Sequence, residues 1–204
     1  MEGPCRILVL GYSWFGPYTH NPAAEVAELL DGARLGGCSI HGEALRVSAG
    51  EVLSKVPRLL EELDPRAVVG LGLNPRATKV TLELAAVNIL HSSTPDVDGR
   101  RYRLREIVGG GPLAVAAPAP IEAIYKHCNE ERLLPLQVGV SIGTYLCNTL
   151  AYLIYSWAQE KGRPAAFLHV PPHSSLAMRL GMPIHASLRD IVETTLCVIE
   201  RLIG

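Results

Sequence analysis

Apolar residues fall into two patterns along the chain: short unbroken runs, and longer stretches in which they recur every three or four positions. Residues 7–11, 67–71 and 165–168 are unbroken runs, the last within a strand read over 165–170, the mark of strands covered on both faces. Residues 38–47 and 136–140 read as two further strands, and 113–117 as a short one. Helical stretches lie between them. Asn21-Pro22 opens the first, with Asn as cap and Pro at the first helical position, where its missing N–H costs nothing; Gly32 supplies a stop. Ser48 and Glu51 have capping-box spacing ahead of a helix over 52–63. Further helices are predicted over 121–133, 145–160 and 188–202. Residues 79–90 alternate more and read as a strand on one flank of the sheet. The polar stretch 91–111, with Pro95-Asp96 and a run of glycines at 109–111, reads as an excursion over the surface. Strand and helix alternate with short links. The expected fold is therefore a single α/β domain over 1–204, a mostly parallel, twisted sheet with helices on both faces.

Composition narrows the partners. A chain of 204 residues, 48% hydrophobic but only 5% aromatic, can bury one full-sized aliphatic core. A net charge of −1 leaves no electrostatic footprint for nucleic acid or an anionic membrane and points to a small or neutral ligand. The most apolar helix, 145–158, is interrupted by Asn148 and Thr149 and is too short to span a bilayer. No secretory leader is read between Met1 and the first strand. The five cysteines (Cys5, Cys38, Cys128, Cys147, Cys197) are odd in number, scattered and without CxxC spacing, which argues against a disulfide framework and against a zinc site. These features predict a soluble cytoplasmic protein.

In sheets of this kind ligands bind beyond the carboxyl ends of the strands. Those ends carry residues 12–15, 72–76, 141–147 and 169–172. Cys147 stands in the first turn of a predicted helix, where free N–H groups and the helix dipole favour a thiolate, the nucleophilic form. The competing reading is a small buried hydrophobe. A cysteine nucleophile needs a base, and the base needs an orienting acceptor. His169 closes a buried strand at the ligand edge; the alternative is a core histidine bonded to a backbone carbonyl. Glu83 is the sole charge between Val80 and Leu90, the alternative being the solvated face of an edge strand. Asp96, Asp98 and Glu106 read as surface. Pro171-Pro172 between His169 and His173 forbids the helix that would bring both rings to one face, and no metal site is expected.

Taken in order, these motifs give the chain a resemblance to the pyrrolidone carboxyl peptidases (pyroglutamyl peptidase I), cysteine exopeptidases that remove an N-terminal pyroglutamyl residue. Gly143-Thr144-Tyr145-Leu146-Cys147-Asn148 is similar to the family's nucleophile motif, His169-Val170-Pro171 to its His-Val-Pro, and Glu83-Leu84-Ala85-Ala86-Val87-Asn88 to its Glu-x-x-Ala-x-Asn. Pro95-Asp96-Val97-Asp98-Gly99, the segment 11–16 and Asn21-Pro22 extend the match over nearly the whole chain. The resemblance implies a Cys147–His169–Glu83 triad and an apolar slot for the flat lactam ring. Tyr12 and Phe15 take the aromatic positions of that slot, Tyr145 and Leu146 lie beside the cysteine, and Leu73 comes from the loop after the third strand. It also implies a peptide or small amide bearing N-terminal pyroglutamate as substrate, no cofactor, a reducing environment and a homo-oligomer, commonly a tetramer. The chain departs from the family pattern at Ser93, where an Arg is usual, at Arg76, one position off register, and at Tyr12 and Trp14, which replace Phe and Pro. Two other readings stay open: a related cysteine hydrolase with a shifted small-amide specificity, and a binding homologue without turnover.

Overall fold

The computed structural model describes residues 5–131, 133–182 and 185–204. In chain order its elements are β1 (Arg6–Tyr12), α1 (Pro22–Leu30), β2 (Arg34–Leu35), β3 (Cys38–Leu45), α2 (Ala49–Leu63), β4 (Ala67–Leu73), β5 (Val80–Glu83), β6 (Ala85–Val87), β7 (Leu90–Ser92), β8 (Tyr102–Arg105), β9 (Ala114–Ala116), α3 (Ile121–Glu130), β10 (Leu136–Gly139), α4 (Leu146–Lys161), β11 (Ala165–Val170), α5 (Ser174–Leu180) and α6 (Leu188–Ile203). The expected helix over 121–133 stops at Glu130, and its remainder includes Arg132, outside the described residues.

The unbroken apolar runs form the middle of a seven-stranded sheet ordered β10-β5-β11-β4-β1-β3-β2. β1, β3, β4 and β11 are mutually parallel, and β5 and β10 are parallel to each other. β5 meets β11 antiparallel, with Leu168 opposite Leu82 and His169 opposite Thr81. Successive side chains alternate faces, so two cores form. Leu8, Leu10, Val68 and Phe167 pack with α2 and α4 on one side; Ile7, Val9, Val69, Leu82 and Leu168 pack with α1, α3 and α6 on the other. Caps are as read: Asn21 accepts from Ala23 N–H, and Ser48 from Glu51 N–H. Among the described residues no helix is long and apolar enough to cross a membrane.

Three expectations need correction. The stretch 79–90 is not one flanking strand. Only Val80–Glu83 joins the main sheet, inside β10, and the chain then leaves it to pair β6 with β9 and β7 with β8. The excursion 91–111 is anchored rather than loose. Asp96 is 4% exposed, accepts backbone N–H bonds from Ala49, Asp98 and Arg100, and accepts a 2.7 Å bond from the Tyr102 hydroxyl. Burial works against its charge, but these donors outweigh it and hold the carboxyl below its usual range. Finally, Cys5 pairs with Cys38 and Cys128 with Cys197 as disulfides. An odd, scattered set hid two bridges because the partners are 33 and 69 residues apart and meet only across β1–β3 and α3–α6. The cysteine left free is Cys147.

Bridges closing loops of those lengths stabilise by roughly 3–4 kcal/mol each on chain-entropy grounds. Without reductant, the unfolded chain should yield one titratable thiol, and replacing Cys128 and Cys197 with Ala should lower the melting temperature on the order of 10 °C. Five thiols per chain would refute the pairing.

Candidate active site

The carboxyl-edge rule explains part of the site. β1 ends at Tyr12, β4 at Leu73, and β11 carries His169 beside Gly72. β5 and β10 run the other way, so Glu83 and Cys147 reach the edge differently. In an antiparallel pair, residues two apart lie diagonally on one face. His169 is opposite Thr81, and Glu83, two positions on, leans back along that face. Its Oε1 lies 2.7 Å from His169 Nδ1. Cys147 arrives by the loop after β10, which delivers the chain to the start of α4, where the N–H groups of the first turn have no acceptor one turn back.

Two glycines make the space. A β-carbon on Gly72 would lie 2.7 Å from Cys147 Sγ, 3.0 Å from Phe167 Cζ and 3.3 Å from His169 Cδ2. The Cys147 sulfur and the His169 ring therefore converge on a bare stretch of β4 backbone. Gly139, opposite Glu83 in the β5–β10 ladder, plays the same part for Glu83, since a side chain there would collide with its carboxylate. The His169–Glu83 pair is deeply buried, with side-chain exposures of 12% and 4%. Burial disfavours an imidazolium, but the Cys147 sulfur and the Glu83 carboxylate outweigh it, and the ring is pushed up to about 10. With Nδ1 directed at the carboxylate, Nε2 is left for the reaction. Phe167 packs edge-on against the ring, with centroids 5.2 Å apart.

Beside Cys147 opens a pocket of about 150 Å³ lined by Tyr12, Phe15, Leu73, Tyr145 and Leu146, with Val47 and Pro75. All five pocket residues read from the sequence are thus in one place. A cavity of about 150 Å³ with apolar walls admits benzene, so a five-membered ring fits. Phe15 and Tyr145 form tilted walls with centroids 6.4 Å apart. The Tyr12 hydroxyl needs a partner and finds one in the Leu146 carbonyl, to which it donates at 2.5 Å. Burial pushes its phenol well above the ordinary value. Trp14 is 61% exposed and lines no wall. Ser93 lies on the β7–β8 connection, where the Arg101 guanidinium donates to its carbonyl; Arg76 is exposed.

The motif asparagines are braces. Asn148 bonds Val87 N–H and the carbonyls of Val87 and Ile89, tying the strap after Glu83 to α4. Asn88 accepts from the N–H groups of Ile107 and Val108. His173, instead of joining His169, caps α5 and sits 3.1 Å from Glu25. Sequence reasoning missed Gly72 and Gly139 as space-makers, since neither has a positive φ or a turn to announce it.

The family model for pyroglutamyl peptidase matches residues 5–202. Among curated proteins, the pyrrolidone-carboxylate peptidase of Thermococcus litoralis is 34% identical over 168 residues, covering 81% of this chain and 76% of that protein. That of Deinococcus radiodurans is 35% identical over 176 residues, covering 84% and 80%. The solved pyrrolidone carboxyl peptidase of Thermococcus litoralis superposes with a TM-score of 0.91 at 29% identity over 98% of this chain and 93% of that one. A mutant enzyme from Pyrococcus furiosus also gives 0.91, over 97% and 98%.

An alanine at 72 should push the sulfur and imidazole apart and lower kcat/KM by about a hundredfold or more, with circular dichroism unchanged. Gly139→Ala should do likewise through Glu83, while Gly109→Ala, where nothing lies within 4 Å, should be silent. Full activity in Gly72→Ala would contradict the geometry.

Proposed function

Because the chain belongs to the pyroglutamyl peptidase family, cysteine exopeptidases that remove N-terminal pyroglutamate, we propose that it performs this reaction with Cys147 as nucleophile, His169 as acid and base, and Glu83 as the group orienting His169. The observation that carries the assignment is the 2.7 Å His169–Glu83 contact beside a free thiol that opens onto an apolar ring-sized pocket.

The lactam lies between Phe15 and Tyr145, with Tyr12, Leu73 and Leu146 completing the slot; a neutral cyclic amide is held by stacking faces and a few backbone bonds. The thiolate attacks the pyroglutamyl carbonyl carbon. The resulting oxyanion faces the N–H groups of the first turn of α4, each such donor being worth about 3 kcal/mol. His169 protonates the departing amine as the C–N bond breaks, leaving a thioester. The neutral imidazole then takes a proton from water, the hydroxide attacks the thioester, and pyroglutamate leaves with the thiolate and imidazolium restored. The Tyr12 hydroxyl is occupied by the Leu146 carbonyl and the lining is mainly apolar and aromatic, which supports a flat cyclic acyl group as the occupant.

The exposed side chains of Leu104, Leu113 and Val140 support assembly into a homo-oligomer, with a tetramer the expectation; a 22.0 kDa sedimenting species would exclude it. The cytoplasm is the proposed compartment, where Cys147 stays reduced while the Cys128–Cys197 bridge is sheltered, both residues being at most 5% exposed, and the Cys5–Cys38 bridge is buried on the Cys38 side with Cys5 half-buried. Alkylation of thiols inside living cells, scored for Cys147 alone, checks both points.

Wild-type protein should hydrolyse a pyroglutamyl-coumarin amide, and Cys147→Ser should abolish turnover. His169 is raised, so its proton is held from acid pH upward and released only as pH climbs through about 10; kcat/KM should fall on that alkaline limb. Glu83→Gln removes one support of the imidazolium and should move the limb to lower pH. An unmoved limb would remove Glu83 from the triad.

A further inference from the structure

Tyr155 lies two turns along α4 from Cys147, fully buried, and the chemistry above makes no use of it. Its hydroxyl accepts from Phe167 N–H at 3.0 Å and donates to the Glu83 carbonyl at 2.8 Å. The register gives this contact meaning. Leu168 faces Leu82 and His169 faces Thr81, so the next antiparallel pair would be Phe167 with Glu83. At that step the direct N–H to O=C bond is replaced by the Tyr155 oxygen, inserted between the strands.

We propose that Tyr155 is a positioning residue for the triad: its hydroxyl splices β5 to β11 at Glu83 and sets the carboxylate where His169 needs it. This rests on the reading of Cys147, His169 and Glu83 as the catalytic groups. Three observations support it. The Glu83 carboxylate has a single partner: Oε1 contacts His169, while Oε2 is buried with no partner among the described residues. Its direction is therefore set by the backbone that bears it, and the carbonyl of that backbone is held by Tyr155. The other end of the splice is Phe167, whose ring packs against His169, so one hydroxyl fixes the residues on both sides of the imidazole. Third, Tyr155 belongs to the helix that carries Cys147, so the splice locks nucleophile, base and acid into one frame. Burial pushes its phenol far above the ordinary value, so the hydroxyl keeps its proton at any working pH.

The test is Tyr155→Phe beside Tyr152→Phe. Tyr152 is equally buried on the same helix, but its hydroxyl donates to the Pro112 carbonyl, away from both catalytic strands. Both variants lose a buried hydroxyl and should melt earlier. Only Tyr155→Phe should lower kcat, on the order of ten- to a hundredfold, with KM for the pyroglutamyl-coumarin amide within about twofold, and only it should displace the pH dependence of Cys147 alkylation by iodoacetamide. Adding Tyr155→Phe to Glu83→Gln should displace that profile no further, because Tyr155 acts through Glu83. Alkylation needs no substrate, so the positioning claim is tested even if the amide is not hydrolysed, an outcome that would count against the substrate assignment alone. Should Tyr155→Phe fail to fold, 3-fluorotyrosine at 155 keeps the ring and alters the hydroxyl as donor and acceptor, and a displaced profile is again expected. A profile and kcat equal to those of Tyr152→Phe, or of wild type for the fluorotyrosine protein, would overturn the proposal.

Discussion

Glu83 and His169 meet across two strands of opposite direction, and the site is organised around that reversal. A buried carboxylate is costly unless it is paired, and breaking such a pair by removing one partner typically costs about 3–5 kcal/mol. Here the pairing partner is supplied by the diagonal geometry of an antiparallel step. Residues 81 and 83 share a face, His169 stands opposite the first, and the second reaches back to it at 2.7 Å. The remainder of the sheet is parallel from β11 to β3, which places Tyr12, Leu73 and His169 along one edge. Among the described residues the seven-stranded sheet changes direction at two steps, the short edge pair β2–β3 and the step between β5 and β11, and Glu83 stands at the second.

Once that pair is set, the thiol must come to it, and α4 is the element that does so. Its first turn holds Cys147 over the bare backbone of Gly72, Asn148 ties it to the strap that follows Glu83, and Tyr155 reaches down between β5 and β11. The Asn148 and Tyr155 contacts reach the segments around Glu83 and His169, and Gly72 lies beside His169 on the neighbouring strand. The arrangement needs missing atoms as much as present ones: methyl groups at 72 and 139 would occupy the volumes taken by the sulfur and the carboxylate. Pre-organisation of this kind comes from packing that admits one geometry, because cores close-pack and have no spare volume into which a displaced group can relax.

What was legible in the sequence follows from how local each signal is. Strands β1, β4 and β11 are runs of consecutive apolar residues, and the caps at Asn21 and Ser48 are contacts within three positions, so both could be read directly. The candidate triad and all five pocket residues were legible because each lies in a short motif at the end of an element. The break of 79–90 into three strands was not, because its apolar alternation continues while the chain changes sheets; at the last residue of β5 the Glu83 carbonyl is bonded by the hydroxyl of Tyr155, more than seventy residues away in sequence. Asp96 looked like surface because its donors, Ala49 and Tyr102 among them, are assembled by the fold. The disulfides were hidden for the same reason.

Tyr12 shows how a departure from the family pattern can be absorbed. A phenol in the wall of an apolar slot would ordinarily bring a polar group to face the lactam ring, and an unpaired hydroxyl there would carry the full cost of its desolvation, about 1–3 kcal/mol. Instead the hydroxyl donates to the carbonyl of Leu146, the residue immediately before Cys147. The ring still serves as a wall, and the hydroxyl becomes a tether from the end of β1 to the start of α4. The wall of the pocket is therefore bonded to the residue that precedes Cys147. A residue that departs from the pattern is thus held by the backbone of the element that carries Cys147, and its hydroxyl is paired rather than left unsatisfied.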